Sequence, residues 1–484
     1  MLALDAAVLV IAMSTAAAGG AFWLMRKGTD SHPAADPPSI AVLRFKDESP
    51  EHNQAYLSDG LAEELVSELT KIHGLKVAGI MSSFQITQDE KDYHKIGQKL
   101  RVANILEGSV RTQGSRLRVN THLIKCADGY CTWNSAFERE TGDVWAVQDE
   151  IARAVTGELK VRLVGTKLAR IPSPDTYNAY LQGRYFIGQR TEKALGKAVA
   201  SFQQAIQLDP DYAPAWLGLG DSYGRLADGG YAPFNATYGK AQQAVDRAIA
   251  LDVDLGEAYA VRGWQKMMHD WDWVGADVSY HRALALDPNN VRAIEGAGAL
   301  AKVLGRLDEA IALYRRVTSI DPLQAGGFCN FGLVLHFAGR QEEAEMALRK
   351  GLELAPDLPL AHSYIARIKL VESKPQEALA EAEKEQDGIF RPQVLALVYH
   401  ALGRKLESDA NLATLIAKFA KDAPDQIAEV YAFRGETGLA FEWLDRAYVL
   451  RDPGLSEMKG DPLLRNLEHD PRFAVFLQKM HLPL

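Results

Sequence analysis

The polar side chains of this sequence that could do chemistry form a set suited to binding rather than to making or breaking bonds. Arg190, Gln265, Arg292, Glu295, Lys302, His336 and Arg367 fall at inner-wall positions of a helical pattern with a 34-residue period. Together they offer ion pairs and hydrogen bonds to an extended segment or helix laid along a groove, so a protein or peptide partner is the expected ligand. Plain solvation of polar helix faces is the alternative role for each of them.

Arrangements that could catalyse are missing or have structural explanations. Asp59, Glu63 and Glu64 gather three carboxylates, as the first turn of a helix favours through its dipole. Asp143 and Asp149-Glu150 flank another helix start and read as capping residues. Glu107-Gly108-Ser109 lacks the Gly-x-Ser-x-Gly frame of a nucleophile elbow. The sequence contains no Gly-x-x-x-x-Gly-Lys-Ser/Thr loop. Its 12 histidines form no His-Glu-x-x-His pair and no zinc-type spacing with cysteine. No catalytic residue, metal or cofactor is expected, and the chain reads as a non-enzyme. A net charge of −9 argues against a nucleic-acid partner.

Cys126 and Cys131 bracket Ala127-Asp128-Gly129-Tyr130, a turn-type tetrapeptide between two strand-like runs. At the mouth of a hairpin such a pair can approach closely enough for a disulfide. A disulfide needs an oxidising compartment; two separate thiols in a reducing one is the alternative. Cys329 falls on the groove wall and reads as a buried, inert thiol.

Three prolines 34 residues apart position the binding set: Pro288, Pro322 and Pro356. They close the phrases Leu286-Asp287-Pro288, Ile320-Asp321-Pro322 and Leu354-Ala355-Pro356, with Leu208-Asp209-Pro210 as an earlier copy. Small residues recur before each proline, as at Gly298 and Gly332, and larger ones follow, as at Phe202, Tyr280, Tyr314 and Leu348. A fixed period of this length signals stacked helix–turn–helix units. These residues resemble the tetratricopeptide repeat. The resemblance implies an all-α solenoid over residues 175–458, with residues 459–484 as a capping segment. The carboxylate-clamp set of some members has no match here.

Residues 40–163 are patterned differently. Ile40–Phe45, Leu75–Ile80, Ala103–Arg111, Leu117–Ile124 and Thr132–Glu138 read as strands, and Leu57–Ile72, His94–Leu100 and Val144–Leu163 as helices. An α/β sandwich is expected. Five blocks occur in order: SIAVLRFKDES from Ser39, YLSDGLAEELVSEL from Tyr56, LKVAG from Leu75, VANILEGSVRTQGSRLRVNTHLI from Val102 and WAVQDEIARAV from Trp145. They resemble the TolB amino-terminal-like (FlgO-like) domain of bacterial envelope and regulatory proteins. That resemblance implies a domain joining a transmembrane helix to C-terminal tetratricopeptide repeats. Some members carry a winged-helix or cyclase domain before the membrane segment. Only five residues precede it here, so neither activity is expected.

Residues 6–25 carry no charge and are long enough to span a bilayer as a transmembrane helix. A cleaved signal peptide is the alternative, although the basic lead that it should have is missing. Residues 26–39, with three prolines, read as a linker. Arg26 and Lys27 after the segment would place the bulk in the cytoplasm, whereas the cysteine pair and the envelope resemblance favour the periplasm. The expectation is a single-pass inner-membrane protein with its bulk periplasmic. Its function would be that of a scaffold in envelope assembly or signalling. A regulatory or sensory subunit without an output domain, and an enzyme housed in the α/β domain, are the alternatives.

Overall fold

Ile40, Ala41 and Val42 are apolar without interruption, as suits a strand covered on both faces. They lie in β1 (Ser39–Val42), every residue of which is buried. The structure, a computed structural model, describes residues 37–72, 74–140, 143–161 and 171–483. After β1 the chain resumes as β2 (Lys46–Asp47). β1 runs parallel to β3 (Lys76–Val77) on one side and to β4 (Asn104–Gln113) on the other, and β2 continues parallel along β4. β5 (Arg116–Lys125) and β6 (Cys131–Glu140) add antiparallel strands, giving the order β3-β1-β4-β5-β6. The β4–β5 turn needs only two residues because Gly114 takes a φ of 63°, which side chains disfavour.

Two helices cover one face of this sheet. α1 (Ala55–Thr70) turns Leu57, Leu61, Leu65 and Leu69 inward at every fourth residue. Beyond it lie the short α2 (Ile80–Ser83) and α3 (Tyr93–Leu100). α4 (Val144–Glu158) adds Val147, Ile151 and Val155 beside α1, against Leu106 and Val110. α3 packs Ile96 and Leu100 on the opposite face, against Ala41, Ile105 and Cys126. The second strand is shorter than its Leu75–Ile80 run suggests, because the chain turns into α2 at Ile80.

From Pro174 the structure is helical. The first pairs are α5 (Pro174–Gly188) with α6 (Glu192–Leu208), α7 (Ala213–Asp228) with α8 (Phe234–Leu251), α9 (Gly256–Gln265) with α10 (Trp273–Leu286), and α11 (Val291–Val303) with α12 (Leu307–Ile320). The later pairs are α13 (Ala325–Phe337) with α14 (Gln341–Leu354), α15 (Ala361–Val371) with α16 (Pro375–Ala382), α17 (Phe390–Ala401) with α18 (Lys405–Phe419), and α19 (Pro424–Phe433) with α20 (Thr437–Leu450). The periodic Leu-Asp-Pro phrase ends the second helix of a pair. Asp209, Asp287 and Asp321 leave the helical conformation with φ between −125° and −145°. The proline that follows each of them disfavours a helical residue before it.

Helices approach closely where an aromatic ring meets glycine. Phe202 of α6 lies against Gly183 of α5 and Gly218 of α7, and Tyr280 of α10 against Gly263 of α9 and Gly296 of α11. A Cβ at any of the four glycines would come within 3.0 Å of the ring.

The sheet domain and the helices share a core, and residues 39–484 form one compact unit. Tyr180 of α5 donates to Glu64 Oε1 at 2.8 Å, and Arg184 pairs with Glu63 at 3.0 Å. Further along, Asp321 Oδ1 accepts from the Ser82 amide at 2.6 Å, and the Gly79 amide donates to Ile320 O at 2.8 Å. Asp59, Glu63 and Glu64 are therefore not helix-dipole residues. α1 begins at Ala55, its first turn has no acidic residue, and Asp59 pairs with Arg44 at 3.2 Å.

The C-terminal segment consists of 3₁₀ turns at Pro453–Glu457 and Pro462–Leu467 and α21 (Pro471–Lys479). It folds back on the middle of the helical array. Leu455, Met458, Leu464 and Phe476 are buried in one core with Trp271, Trp273, Tyr280 and Leu300. Trp273 Nε1 donates to Met480 O at 2.8 Å. A π turn at Lys266–Asp270 after α9, with Trp271 at a φ of 55°, delivers the two tryptophans to this core.

The expected membrane-spanning element, and the inner-membrane location with it, is corrected. Among the described residues no helix is long and apolar enough to cross a membrane. The apolar stretch 6–25 lies outside those residues, as does most of the linker. The fold is a small sheet region followed by a helical solenoid.

Replacing Gly296 by Leu should destabilise the chain by about 1–3 kcal/mol or more, because the Tyr280 ring cannot retreat from overpacking. Gly326→Ala, which meets nothing within 4 Å, should shift stability by less than about 1 kcal/mol. Urea midpoints for the two variants check the contrast.

Candidate functional site

Arg190, which follows α5, and Arg292 and Glu295 of α11 are brought together beside α7. Their organiser is Asp221 of α7, which pairs with Arg292 of α11 at 2.5 Å and with Arg225, one turn along α7, at 3.1 Å. Burial pushes the Asp221 carboxyl up, but the two guanidinium groups outweigh burial and hold it below the usual carboxylate range. Arg190 stands at the exposed rim of this group. Loss of hydration, and then the Arg225 charge, lower its pKa, while Asp221 and Glu295 oppose both.

Burial pushes Glu295 up to about 7 and Asp321 adds to that, against a hydrogen bond from Gln324 and the charges of Arg292 and Arg190. Glu257 also acts on Arg292, and Asp228 lies within reach of Arg225, so the cluster mixes both signs of charge.

The other members of the set are engaged by the protein itself. Lys302 is 5% exposed and pairs through Nζ with Glu457 of the C-terminal segment at 2.6 Å. His336 is buried and its Nδ1 lies 2.7 Å from Gln341 Oε1; burial lowers its pKa. Arg367 is buried, donates to Gln393 at 2.8 Å and pairs with Glu429 at 3.3 Å, and its Nε has no hydrogen-bond partner among the described residues. Gln265 is buried too, and its Nε2 likewise has none. Lys302, His336 and Arg367 all lie near charges of the chain's own carboxyl-terminal turns.

Several carboxyl groups meet there. Asp425 and Glu429 of α19 stand with Asp452 and Asp461 of the C-terminal segment. Burial raises Asp425 well above the carboxylate range, and Asp452 and Asp461 add to it. Burial also raises Glu429, which Arg367 only partly offsets. Sequence reasoning missed Asp221, Arg225, Glu457 and Asp461. The four-residue spacing of Asp221 and Arg225 within one inner helix was a usable signal for that pair. Nothing local marked Glu457 or Asp461, whose roles arise from a fold-back onto α11 and α19.

The cysteines are free thiols. Cys126 is buried, and burial pushes its thiol up to about 11. Cys131 is exposed and donates to Trp133 O at 3.1 Å. Cys329 is buried, as expected of an inert thiol, and burial pushes it up to about 12.

Two descriptions of one repeat match the helical region: "TPR repeat" over residues 190–226, and "Tetratricopeptide repeat" over residues 295–322 and 325–358. The chain therefore carries tetratricopeptide repeats, of the kind that mediate protein–protein interaction. It is 33% identical over 221 residues to the Rhizobium meliloti protein named "Putative adenylate cyclase 3", covering 43% of this chain and 37% of that protein. It is 29% identical over 119 residues to a small glutamine-rich tetratricopeptide repeat-containing protein of Mycosarcoma maydis, covering 24% of this chain and 34% of that one. The chain thus spans about a third of the length of these relatives. Among solved structures, human IFIT1 is similar with a TM-score of 0.41 at 15% identity, covering 64% of this chain and 78% of that one. PilF of Pseudomonas aeruginosa is similar with a TM-score of 0.34 at 18% identity, covering 41% and 91%.

The raised carboxyl groups set a pH dependence. Unfolded carboxyls titrate near ~4. Above that pH the folded chain keeps carboxyl protons that the unfolded chain loses, on Glu295 up to about 7, and Asp425 and Glu429, raised by burial, act in the same direction. Stability should then fall as pH rises through this window. Lowered groups such as Asp221 act below it. Unfolding free energies from urea titrations at pH 5 to pH 8 should decline by on the order of 1–3 kcal/mol, and Asp425→Asn should flatten the decline.

Proposed function

We propose that the chain is a tetratricopeptide adaptor that holds an acidic segment of a protein partner on the inner wall of its first four helix pairs. The observation that carries this reading is the convergence of Arg190, Arg225 and Arg292 on the single carboxylate of Asp221. Guanidinium forks suit carboxylates because they can meet both oxygens at once. Arg292 is committed to Asp221. Arg190 at the rim and the remaining donors of Arg225 are left to meet a ligand. Lys302, His336 and Arg367 are set aside from this reading, because their partners are internal.

A second reading makes the chain a regulatory element that binds through its repeats. The likeness to the protein named "Putative adenylate cyclase 3", over 43% of this chain, supports it. So does the resemblance of residues 39–163 to the TolB amino-terminal-like domain. The two readings share the same wall and differ in what the partner does.

Display of a random peptide library against the folded chain tests the shared part. Recovered peptides should be rich in Asp and Glu. Arg190→Glu/Arg225→Glu should weaken them at least tenfold while the circular dichroism spectrum stays that of the folded chain, although loss of the Arg225–Asp221 pair should lower the melting temperature. Peptides without acidic bias, or affinities that ignore the double variant, would remove the assignment.

A further inference from the structure

In the sheet domain, β1 has β3 on one side and β4 on the other, so the strand order reverses at its carboxyl end. In open α/β sheets the crevice outside the carboxyl ends of the strands at such a reversal is where ligands bind. Here β3 stops at Val77 while β2 carries the edge onward along β4. The loop after α2 stands away from that edge and leaves a cleft of about 240 Å³. Its floor is the part of the sheet face that α3 leaves uncovered. Glu107 and Ser109 of β4 alternate onto that face, and His122 stands directly across from Glu107 on β5.

Arg44, Lys46 and Lys91 line the cleft together with Glu48, Glu90 and Glu107, and two of these carboxylates are engaged from outside it. Arg44 contacts Asp59 through Nε at 3.2 Å, and its guanidinium lies 4.7 Å from the centre of the Phe84 ring. Lys46 lies 3.8 Å from Glu48, and Lys91 3.3 Å from Glu107. The carboxylates are more fully used. Glu90 is held by Lys99 at 2.6 Å, and Glu107 also accepts from Tyr93 Oη at 3.0 Å. The side chains of Lys46 and Lys91 are each 60% exposed, so both can swing onto a guest.

We propose that this cleft is a binding site for a small organic anion. Arg44, Lys46 and Lys91 meet its carboxylate or phosphate group, and Ser109 and His122 hydrogen-bond to its body. The site is separate from the inner wall and does not depend on how that wall is read.

Isothermal titration of the full chain with pyrophosphate and with citrate, at fixed ionic strength, tests the site and tells a phosphate ligand from a carboxylate one. At least one anion should bind saturably and shift the His122 ring resonances. Lys46→Ala/Lys91→Ala should weaken binding at least tenfold, whereas Arg116→Ala/Arg118→Ala, at the far turn of the β4–β5 hairpin, should leave it unchanged. The proposal is overturned if neither anion binds saturably, if His122 does not respond, or if both double variants lose affinity alike.

Discussion

Asp321 is the point on which the two halves of this protein depend. Its carboxylate accepts from the Ser82 amide, and Gly79 is a glycine because a Cβ there would collide with it. The residue belongs to the periodic Ile-Asp-Pro phrase, so a signal that ends a helix also provides a docking peg. Burial disfavours the charged form of this carboxyl, and the hydrogen bonds from Ser82 offset that only in part. With Tyr180 and Arg184 gripping Glu64 and Glu63 at the first helix, the sheet domain is held at two places along the array. Two attachments fix an orientation that one would leave free to swing.

The polar residues expected to line a groove divide into two zones. Near α5, α7 and α11 the wall keeps charges that its own chain uses only partly. Lys302 and the cations beyond it lie near the carboxyl-terminal turns and already have protein partners. A repeat array makes surfaces along its length, and this chain uses part of its surface on itself.

Much of the fold was legible in the sequence because it rests on local, periodic signals. The 34-residue spacing, the small positions Gly298 and Gly332 that face Tyr314 and Leu348, and the proline-ended phrases report helix pairing directly. The strands around Gly114 were legible from alternation. What was not legible depends on contacts between distant residues. The fold-back of residues 453–482 has no periodicity of its own, and its leucines read like any short apolar run. The roles of Glu63 and Glu64 could not be foreseen either, since their partners lie more than a hundred positions away in α5. At the candidate wall, helix position was readable from the repeat, but engagement was not. Arg292 and Lys302 look alike in sequence, yet one meets Asp221 on a half-open wall and the other is sealed against Glu457.

The hydrogen bond from Trp273 to the carbonyl of Met480 joins residues 207 positions apart. Linear repeat arrays are close to one-dimensional chains: each unit feels only its neighbours, and ends can fray a unit at a time. Joining the end to the middle removes that freedom. The last four pairs cannot peel away stepwise without opening the core around Trp271 and Trp273. The array should therefore unfold as one cooperative block, and it should fold more slowly than its helical content implies, because the closing contact must wait for a long loop to find its mate.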